Sequence, residues 1–268
     1  MPVLHIVVLA LIQGITEFLP ISSSGHLALV PIIMGWPDQG LIMDVAVHVG
    51  TLGAVVLYFW RDVFGMTKGV LMVLSGRVEP QARLAGLIFL ATIPVVLAGY
   101  GLNHMGMDGL RSLTVIGWAT LGFGLVLWAT DRVGMTLRRI EHLGLSDAVI
   151  IGIAQVLALI PGTSRSGITM SAARMLGMER TDAARFSMLL SIPTIIGAGV
   201  LKGLELYQSG DARLTSDAML AAGLSFITAL IAIVVLMAWL KRSSFMPFVI
   251  YRILLGVGLL GLSYGYIG

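Results

Sequence analysis

The chain has 268 residues, of which 57% are hydrophobic and only 12% are charged. Soluble proteins carry about 25% charged residues, so the polar surface here is too small to cover the apolar mass, and lipid must cover it. The formal net charge of +3 is too small to indicate a nucleic-acid partner. The absence of cysteine excludes disulfides, cysteine-zinc sites and thiol nucleophiles.

The first apolar stretch, residues 3–35, is interrupted by polar residues between Glu17 and His26. Its two flanking pieces are too short to cross a bilayer, which takes about 20 residues, but suit half-helices. Irregular backbone at membrane depth survives only inside protein or beside a wet cavity. We therefore predict a re-entrant helix–loop–helix hairpin; the alternative is one long span kinked at a proline.

The rest of the chain continues this pattern. Three apolar runs of spanning length come first, then a second broken stretch at 147–177, interrupted between Pro161 and Gly167, and then three more runs. The predicted fold is an all-α integral membrane protein with six transmembrane helices and two re-entrant hairpins. The six predicted spans are 41–60, 84–101, 113–130, 183–202, 217–240 and 247–267.

The two broken stretches align after a shift of 142 residues. A hairpin does not cross the bilayer and three spans do, so the second copy must be inverted, as in many transporters. We predict one membrane domain with inverted repeats of about 1–133 and 143–268. The aligned pairs are Gln13 with Gln155, Ser22 with Ser164, Ser24 with Ser166, and Gly25 with Gly167.

Basic residues support this topology independently. With both termini outside, the cytoplasmic loops carry eleven basic residues, whereas the opposite loops carry only Arg111 and Arg213. This asymmetry follows the positive-inside rule. The predicted cytoplasmic loops are 61–83, 131–147, 178–185 and 241–246.

The two hairpin tips are predicted to meet and to bind an anion. A half-helix begins after each polar loop, and its free N–H groups and positive dipole end attract negative charge. Hydroxyl groups add donors, and the glycines allow close backbone approach. The residues expected to bind substrate are Ser22, Ser24, Gly25, Thr163, Ser164, Ser166 and Gly167.

Three polar side chains in these loops are candidates for chemistry. Arg165 is an intramembrane charge whose planar fork suits phosphate, although it could instead form a structural ion pair with Glu17. Gln13 and Glu17 share one helix face and could hold a hard divalent cation. The alternative for these two is an ordinary hydrogen bond between helix residues.

His26 lies within one helical turn of Ser23. A serine beside a histidine can be an activated nucleophile, and histidine can itself accept a phosphoryl group; the alternative is a hydrogen-bonded core histidine. His48 is interpreted as structural. Arg174 and Arg185 are expected near the cytoplasmic surface, where Arg185 could still touch the site.

The two loops resemble the signatures of the undecaprenyl-diphosphate phosphatase family, the BacA type linked to bacitracin resistance. The similarity extends along the whole chain, including Arg185-Phe186-Ser187. The first matching motif is Gln13-x-x-x-Glu17 followed by Pro20-Ile21-Ser22-Ser23-Ser24-Gly25-His26, and the second is Pro161-Gly162-Thr163-Ser164-Arg165-Ser166-Gly167.

This resemblance implies hydrolysis of a polyprenyl diphosphate to the monophosphate, which recycles the lipid carrier for peptidoglycan synthesis. It implies Mg²⁺ or Ca²⁺ and a multi-pass protein of the bacterial cytoplasmic (inner) membrane, with its active site opening to the outer (periplasmic) face. The family's catalytic positions correspond to Glu17, Ser23, His26 and Arg165. Gln13 stands where some relatives carry Glu.

Several alternatives remain open at this stage. The nucleophile is Ser23, His26 or water. The expected partners are the polyprenyl diphosphate lipid and the bilayer, with a homodimer as an open alternative. The inverted repeat also suits a lipid-phosphate flippase or a small-anion transporter, and a channel is a further rival.

Overall fold

A computed structural model describes residues 2–37, 40–76, 79–105, 112–209 and 212–266. Within these ranges the chain forms eleven α-helices and two short 3-10 turns, and its β pairing is limited to one bridge between Arg138 and Met178. The helices are α1 (Val3–Thr16), α2 (Ser23–Met34), α3 (Leu41–Tyr58), α4 (Trp60–Val73), α5 (Pro80–Met105), α6 (Leu113–Val133), α7 (Leu145–Val156), α8 (Arg165–Met175), α9 (Arg180–Ser209), α10 (Ala212–Leu240) and α11 (Met246–Ser263).

Helices occupy all six predicted spans. In the described part of the chain, α5, α6, α10 and α11 are long and apolar enough to cross a membrane. Helices α3 and α4 are together also long and apolar enough to cross a membrane, although the chain bends by 84° between them. The remaining predicted span, 183–202, lies in α9, whose side chains are described as far as Gly197. The all-α membrane fold is thus confirmed.

The outward faces of these helices are apolar. Phe89, Leu97, Val235 and Leu254 are each more than 60% exposed. A soluble monomer rarely presents extended apolar patches to water. The surface therefore suits contact with lipid tails.

The two predicted hairpins are present. Helices α1, α2, α7 and α8 have 14, 12, 12 and 11 residues, each too short to cross a bilayer. The first pair is joined through residues 17–22. The second is joined through the 3-10 turn Leu157–Leu159 and the loop that leads to Arg165.

Helix packing relates the two halves. Helix α1 packs on α10, and its counterpart α7 packs on α5, the counterpart of α10. Helix α3 packs against its own counterpart α9, and α6 packs against α11 in the same way. A two-fold relation between halves produces this exchange of partners, so the packing supports the repeat. Its boundaries stay a prediction.

The prediction of a loop over 61–83 was wrong. Helix α4 fills most of it, because apolar residues recur every three or four positions, including Val63 and Met66, which pack against the main core. Gly69 is buried where α4 meets α5, and a Cβ there would lie 2.7 Å from the backbone nitrogen of Ala82. Helix α4 is therefore a packed part of the fold.

The charge asymmetry stays a prediction. Arg77 and Arg111 lie outside the described residues, and so does the side chain of Arg213.

The main core holds the first hairpin in place. It packs around Phe18, Phe186 and Phe245, which are fully buried. Phe18 lies in the hairpin loop, directly after Glu17. Burying a phenylalanine contributes about 1.5–3 kcal/mol, so the core anchors the loop that carries the candidate carboxylate.

Candidate active site

The same serine turn is built at both hairpin tips. Ser22 and Ser164 have φ of 75° and 71°, the two positive values among described residues other than glycine. Each hydroxyl accepts a hydrogen bond from a backbone N–H three residues on, at Gly25 and Gly167, over 3.3 and 3.1 Å. Such backbone strain persists only where its surroundings impose it. The repeat predicted from the sequence therefore extends to local conformation.

The two tips touch, as the sequence predicted. Nη2 of Arg165 is 2.8 Å from Oε1 of Glu17. Close by, the Ser166 hydroxyl donates to the backbone carbonyl of Leu19 over 2.9 Å. Residues separated by about 147 positions in sequence thus share one site.

Glu17 is the centre of a network of hydrogen-bond donors. Its Oε2 accepts from the Ser23 hydroxyl over 2.7 Å and from Nε2 of Gln13 over 2.9 Å. Nε2 of His48 lies 3.5 Å from the same oxygen. An ionised carboxylate only accepts hydrogen bonds, so the donors on Ser23 and Gln13, together with Arg165, stabilise the charged form of Glu17.

A cavity of about 330 Å³ opens beside this network. Four groups that can carry charge line it, namely Glu17, Asp44, His48 and Arg165. Hydroxyls of both hairpins and of α9 complete its polar wall. The lining hydroxyl residues are Ser23, Ser24, Ser164 and Thr194.

His48, interpreted from the sequence as structural, has a place at the candidate site. It lies on α3 and lines the cavity next to Glu17. Its position in an apolar run gave no signal in the sequence, because the contact depends on how α3 packs against the first hairpin.

His26 points in a different direction. Its Nδ1 is 2.7 Å from the carbonyl oxygen of Ser22, and its Nε2 is 2.5 Å from the hydroxyl of Tyr251 on α11. The two rings stack with centroids 5.6 Å apart. His26 is absent from the described lining of the cavity, and the hydroxyl of Ser23 bonds to Glu17 instead.

The predicted substrate-binding residues divide into three groups. Ser24 and Ser164 line the cavity. Gly25 and Gly167 use their N–H groups in the serine turns. The remaining residues are buried: Ser22 and Ser166 are hydrogen-bonded within the loops, and the Thr163 hydroxyl has no hydrogen-bond partner.

Arg252 is the residue that the sequence analysis missed. It is fully buried on α11 and donates to the backbone carbonyls of Pro20, Gly162 and Thr163 over 3.2, 3.0 and 2.9 Å. It therefore connects both hairpin loops. A charge inside the apolar run 247–267 was the signal that could have identified it.

The other arginines serve the fold away from the cavity. Arg174, predicted near the surface, is fully buried and pairs with Asp131 over 3.2 Å. The chain turns there, so the guanidinium can satisfy several backbone carbonyls. Arg185 pairs with Asp62 and does not line the described cavity.

Known proteins resemble this chain over almost its whole length. The family described as "Bacitracin resistance protein BacA" matches residues 6–258. "Undecaprenyl-diphosphatase 1" of Rhodospirillum rubrum is 54% identical, covering 98% of this chain and 96% of the relative. "Undecaprenyl-diphosphatase" of Ruegeria pomeroyi is also 54% identical, covering 98% and 100%. "Undecaprenyl-diphosphatase" of Hahella chejuensis is 52% identical, covering 96% of this chain and 97% of the relative. The chain belongs to the BacA family.

Proposed function

We propose that this protein is a membrane phosphatase that hydrolyses undecaprenyl diphosphate to undecaprenyl monophosphate and inorganic phosphate. The reaction would recycle the lipid carrier for peptidoglycan synthesis. Membership of the BacA family and relatives with full-length similarity support the substrate. The observation that carries the chemistry is the hydrogen bond of 2.7 Å from the Ser23 hydroxyl to Glu17.

Ser23 is the nucleophile in this proposal, in preference to His26 or water. A serine hydroxyl needs an adjacent base, and Glu17 is in hydrogen-bonding contact with it. As Oγ bonds to the terminal phosphorus, its proton passes to Glu17. The bond from that phosphorus to the bridging oxygen breaks, and the electron pair leaves with the prenyl monophosphate. Water then releases phosphate from Ser23.

Arg165 is proposed to bind the diphosphate. It donates to Glu17 and to the carbonyl of Ser187 over 3.2 Å, and a guanidinium has five N–H donors, so donors remain for phosphate oxygens. It lines the cavity with a side chain only 15% exposed. In such a confined site, fixed donors stabilise developing charge more strongly than they do in water.

The donor set fits a hard divalent cation, Mg²⁺ or Ca²⁺, bound together with the substrate. Mg²⁺ in particular is held through one or two carboxylates plus substrate phosphates. Glu17 would supply the carboxylate, and the buried Oε1 of Gln13, which has no hydrogen-bond partner, would supply an amide oxygen. When bound, the cation would neutralise phosphate charge. We expect chelation to abolish phosphate release and Mg²⁺ or Ca²⁺ to restore it.

The proposed location is the bacterial cytoplasmic membrane, with the cavity open to the outer face. The distribution of basic residues supports this orientation, since eleven fall in the loops assigned to the inside. Accessibility of single cysteines to a membrane-impermeant thiol reagent tests it, because the chain has no native cysteine. Labelling from outside at Ser24→Cys is expected; labelling only from inside would contradict it.

Phosphate release by detergent-purified protein tests the enzymatic function. We expect Ser23→Ala and Arg165→Ala to lower kcat at least about 10²-fold. Ser75→Ala, in an exposed turn after α4, is the matched control and should behave as wild type. A wild type that releases no phosphate would contradict the function, and full activity of Ser23→Ala would contradict the site.

Transport of a lipid phosphate or a small anion is the second candidate. The exchange of helix partners between the two halves favours it, because such symmetry permits alternating access. Vesicles with substrate in one leaflet separate the two functions. Product confined to that leaflet supports hydrolysis alone.

A further inference from the structure

Three hydrogen bonds connect Arg165, Thr169 and Ser187 in a closed ring. Nη1 of Arg165 donates to the backbone carbonyl of Ser187 on α9 over 3.2 Å. The hydroxyl oxygens of Ser187 and Thr169 are 2.7 Å apart, and the Thr169 hydroxyl donates to the backbone carbonyl of Arg165 over 2.8 Å. This hydrogen-bond ring links α8, which begins at Arg165, to α9.

The direction of each bond in the hydrogen-bond ring can be assigned. A hydroxyl group has one proton to donate. The Thr169 hydroxyl lies 2.8 Å from the carbonyl oxygen of Arg165 and 3.3 Å from that of Ser166, and carbonyl oxygens only accept. The proton between the two hydroxyls therefore comes from Ser187. Each residue of the ring thus donates to the next, and bonds aligned in this way strengthen one another.

The two hydroxyl residues of the hydrogen-bond ring are shielded from water. Thr169 and Ser187 are each only 1% exposed, and neither belongs to the described lining of the cavity. A buried hydroxyl without a hydrogen-bond partner costs free energy, so the bonded arrangement is favoured. Because neither residue faces the cavity, both can influence a bound diphosphate only through Arg165.

The hydrogen-bond ring also limits how Arg165 meets Glu17. Arginine–carboxylate pairs are frequently bidentate, with two parallel hydrogen bonds. Here Nη2 donates to Oε1 of Glu17 over 2.8 Å, whereas Nη1 is bonded to the Ser187 carbonyl. Oε2 of Glu17 therefore accepts from the Ser23 hydroxyl. The single contact with Glu17 keeps both the carboxylate and the guanidinium available for the reaction.

We propose that Thr169 and Ser187 are positioning residues that hold the Arg165 guanidinium in place for the diphosphate. This inference rests on the phosphatase function proposed for the chain. With the hydrogen-bond ring intact, donors of Arg165 are oriented before the substrate arrives and need no rearrangement as charge develops. Without it, the guanidinium can rotate onto both oxygens of Glu17. That rotation would take donors from the phosphate and displace Ser23 from its base.

Thr169→Val tests this role, because valine has nearly the same shape as threonine but no hydroxyl. We expect the affinity for a prenyl methylenediphosphonate, in which CH₂ replaces the bridging oxygen and prevents hydrolysis, to fall about tenfold. The value of kcat/KM for the diphosphate should fall at least as far. Thr169→Ser keeps the hydroxyl and should retain the wild-type affinity. Wild-type affinity of Thr169→Val would overturn the proposal.

Thr92→Val is the matched control for this substitution. Thr92 is a buried threonine on α5 whose hydroxyl donates to the carbonyl of Ile88, four residues earlier, over 2.7 Å. It thus makes the same local bond as Thr169 but has no place in the hydrogen-bond ring. We expect wild-type affinity and kcat/KM; a loss equal to that of Thr169→Val would overturn the proposal.

An Arg165→Ala background separates positioning from a purely structural effect. The hydrogen-bond ring then has no guanidinium to hold, so Thr169→Val should cause no further loss of affinity. A loss by the same factor in both backgrounds would overturn the proposal. If Thr169→Val does not fold in detergent, Ser187→Ala replaces it, because it removes one bond of the ring and keeps the carbonyl that accepts from Arg165. Wild-type affinity of Ser187→Ala would then overturn the proposal.

The failure of this inference is distinct from failure of the phosphatase proposal. If Thr169→Val and Ser187→Ala bind and react like the wild type while Ser23→Ala is inactive, the positioning role fails and the phosphatase stands. If the wild type releases no phosphate, the phosphatase function fails, and the catalytic use of the hydrogen-bond ring fails with it.

Discussion

Nη2 of Arg165 lies 2.8 Å from Oε1 of Glu17, although 148 residues separate the two in sequence. The contact joins the tips of two hairpins that belong to different halves of the chain. Each side chain is mostly buried, at 15% and 5% exposed. Breaking such a pair leaves a buried charge without a partner, which costs more than the pair contributes when intact.

A double-mutant cycle on this pair should therefore be strongly non-additive. We expect Glu17→Gln and Arg165→Gln each to destabilise the protein by about 3–5 kcal/mol, and the double variant to be less destabilised than the sum. Thermal unfolding in detergent measures stability. Additive effects would contradict direct coupling. The cycle uses stability and not activity as its readout, because both residues belong to the proposed active site.

Replacing the serine of either turn with glycine should reduce stability less than replacing it with alanine. Ser164→Gly loses a hydrogen-bond acceptor but suits a φ of 71°, whereas Ser164→Ala loses the acceptor and keeps the strain. We expect the alanine variant to be less stable than the glycine variant by about 1 kcal/mol. Thermal unfolding of the two variants, and of the Ser22 equivalents as a matched pair, measures the difference. Equal stability would contradict strain at these positions.

Arg252 should be required for the site although it does not line the cavity. Arg252→Met keeps an extended side chain but leaves the carbonyls of Pro20, Gly162 and Thr163 without their donor, at about 1–3 kcal/mol for each buried group. We expect a large fall in melting temperature and loss of phosphate release. Arg242→Met, exposed after α10, is the control. Wild-type stability of Arg252→Met would show that the hydrogen bonds from Arg252 to the two hairpin loops are not required for the fold.

The crossing of α3 and α10 should tolerate no added atom at Gly50. A Cβ there would overlap the backbone carbonyl of Ala222, whereas at the neighbouring Gly223 it would meet nothing within 4 Å. Gly50→Ala is therefore expected to destabilise by about 1–3 kcal/mol, and Gly223→Ala to be neutral or slightly stabilising. Thermal unfolding in detergent compares the two. The opposite order would contradict this packing.

Local features of the sequence were sufficient to predict the hairpins. The apolar pieces beside Glu17 and Arg165 are too short to span, and polar residues at membrane depth need a protein or water environment. Helix α4 was missed because charged residues such as Asp62 and Lys68 interrupt its apolar residues along the chain. The average hydropathy of this segment is therefore like that of a loop. Its periodicity contained the signal.

The two histidines illustrate the limit of sequence reasoning. His26 lies three residues from Ser23, but the turn at Ser22 directs its ring to Tyr251. His48 lies 31 residues beyond Glu17 in an apolar run, and only the packing of α3 against the first hairpin brings it to Oε2. Proximity along the chain did not predict proximity in space.

The sequence by itself determined the membrane environment, the broken helices and the family, because composition, run length and motif residues are properties of the linear chain. Only the tertiary structure decided which side chains meet: the buried guanidinium of Arg252 between the loops, the ring of His48 at Glu17, and the partner exchange between halves. Such contacts depend on the positions at which helices cross and on which backbone carbonyls lack hydrogen-bond donors. Both are determined only when all the helices pack together.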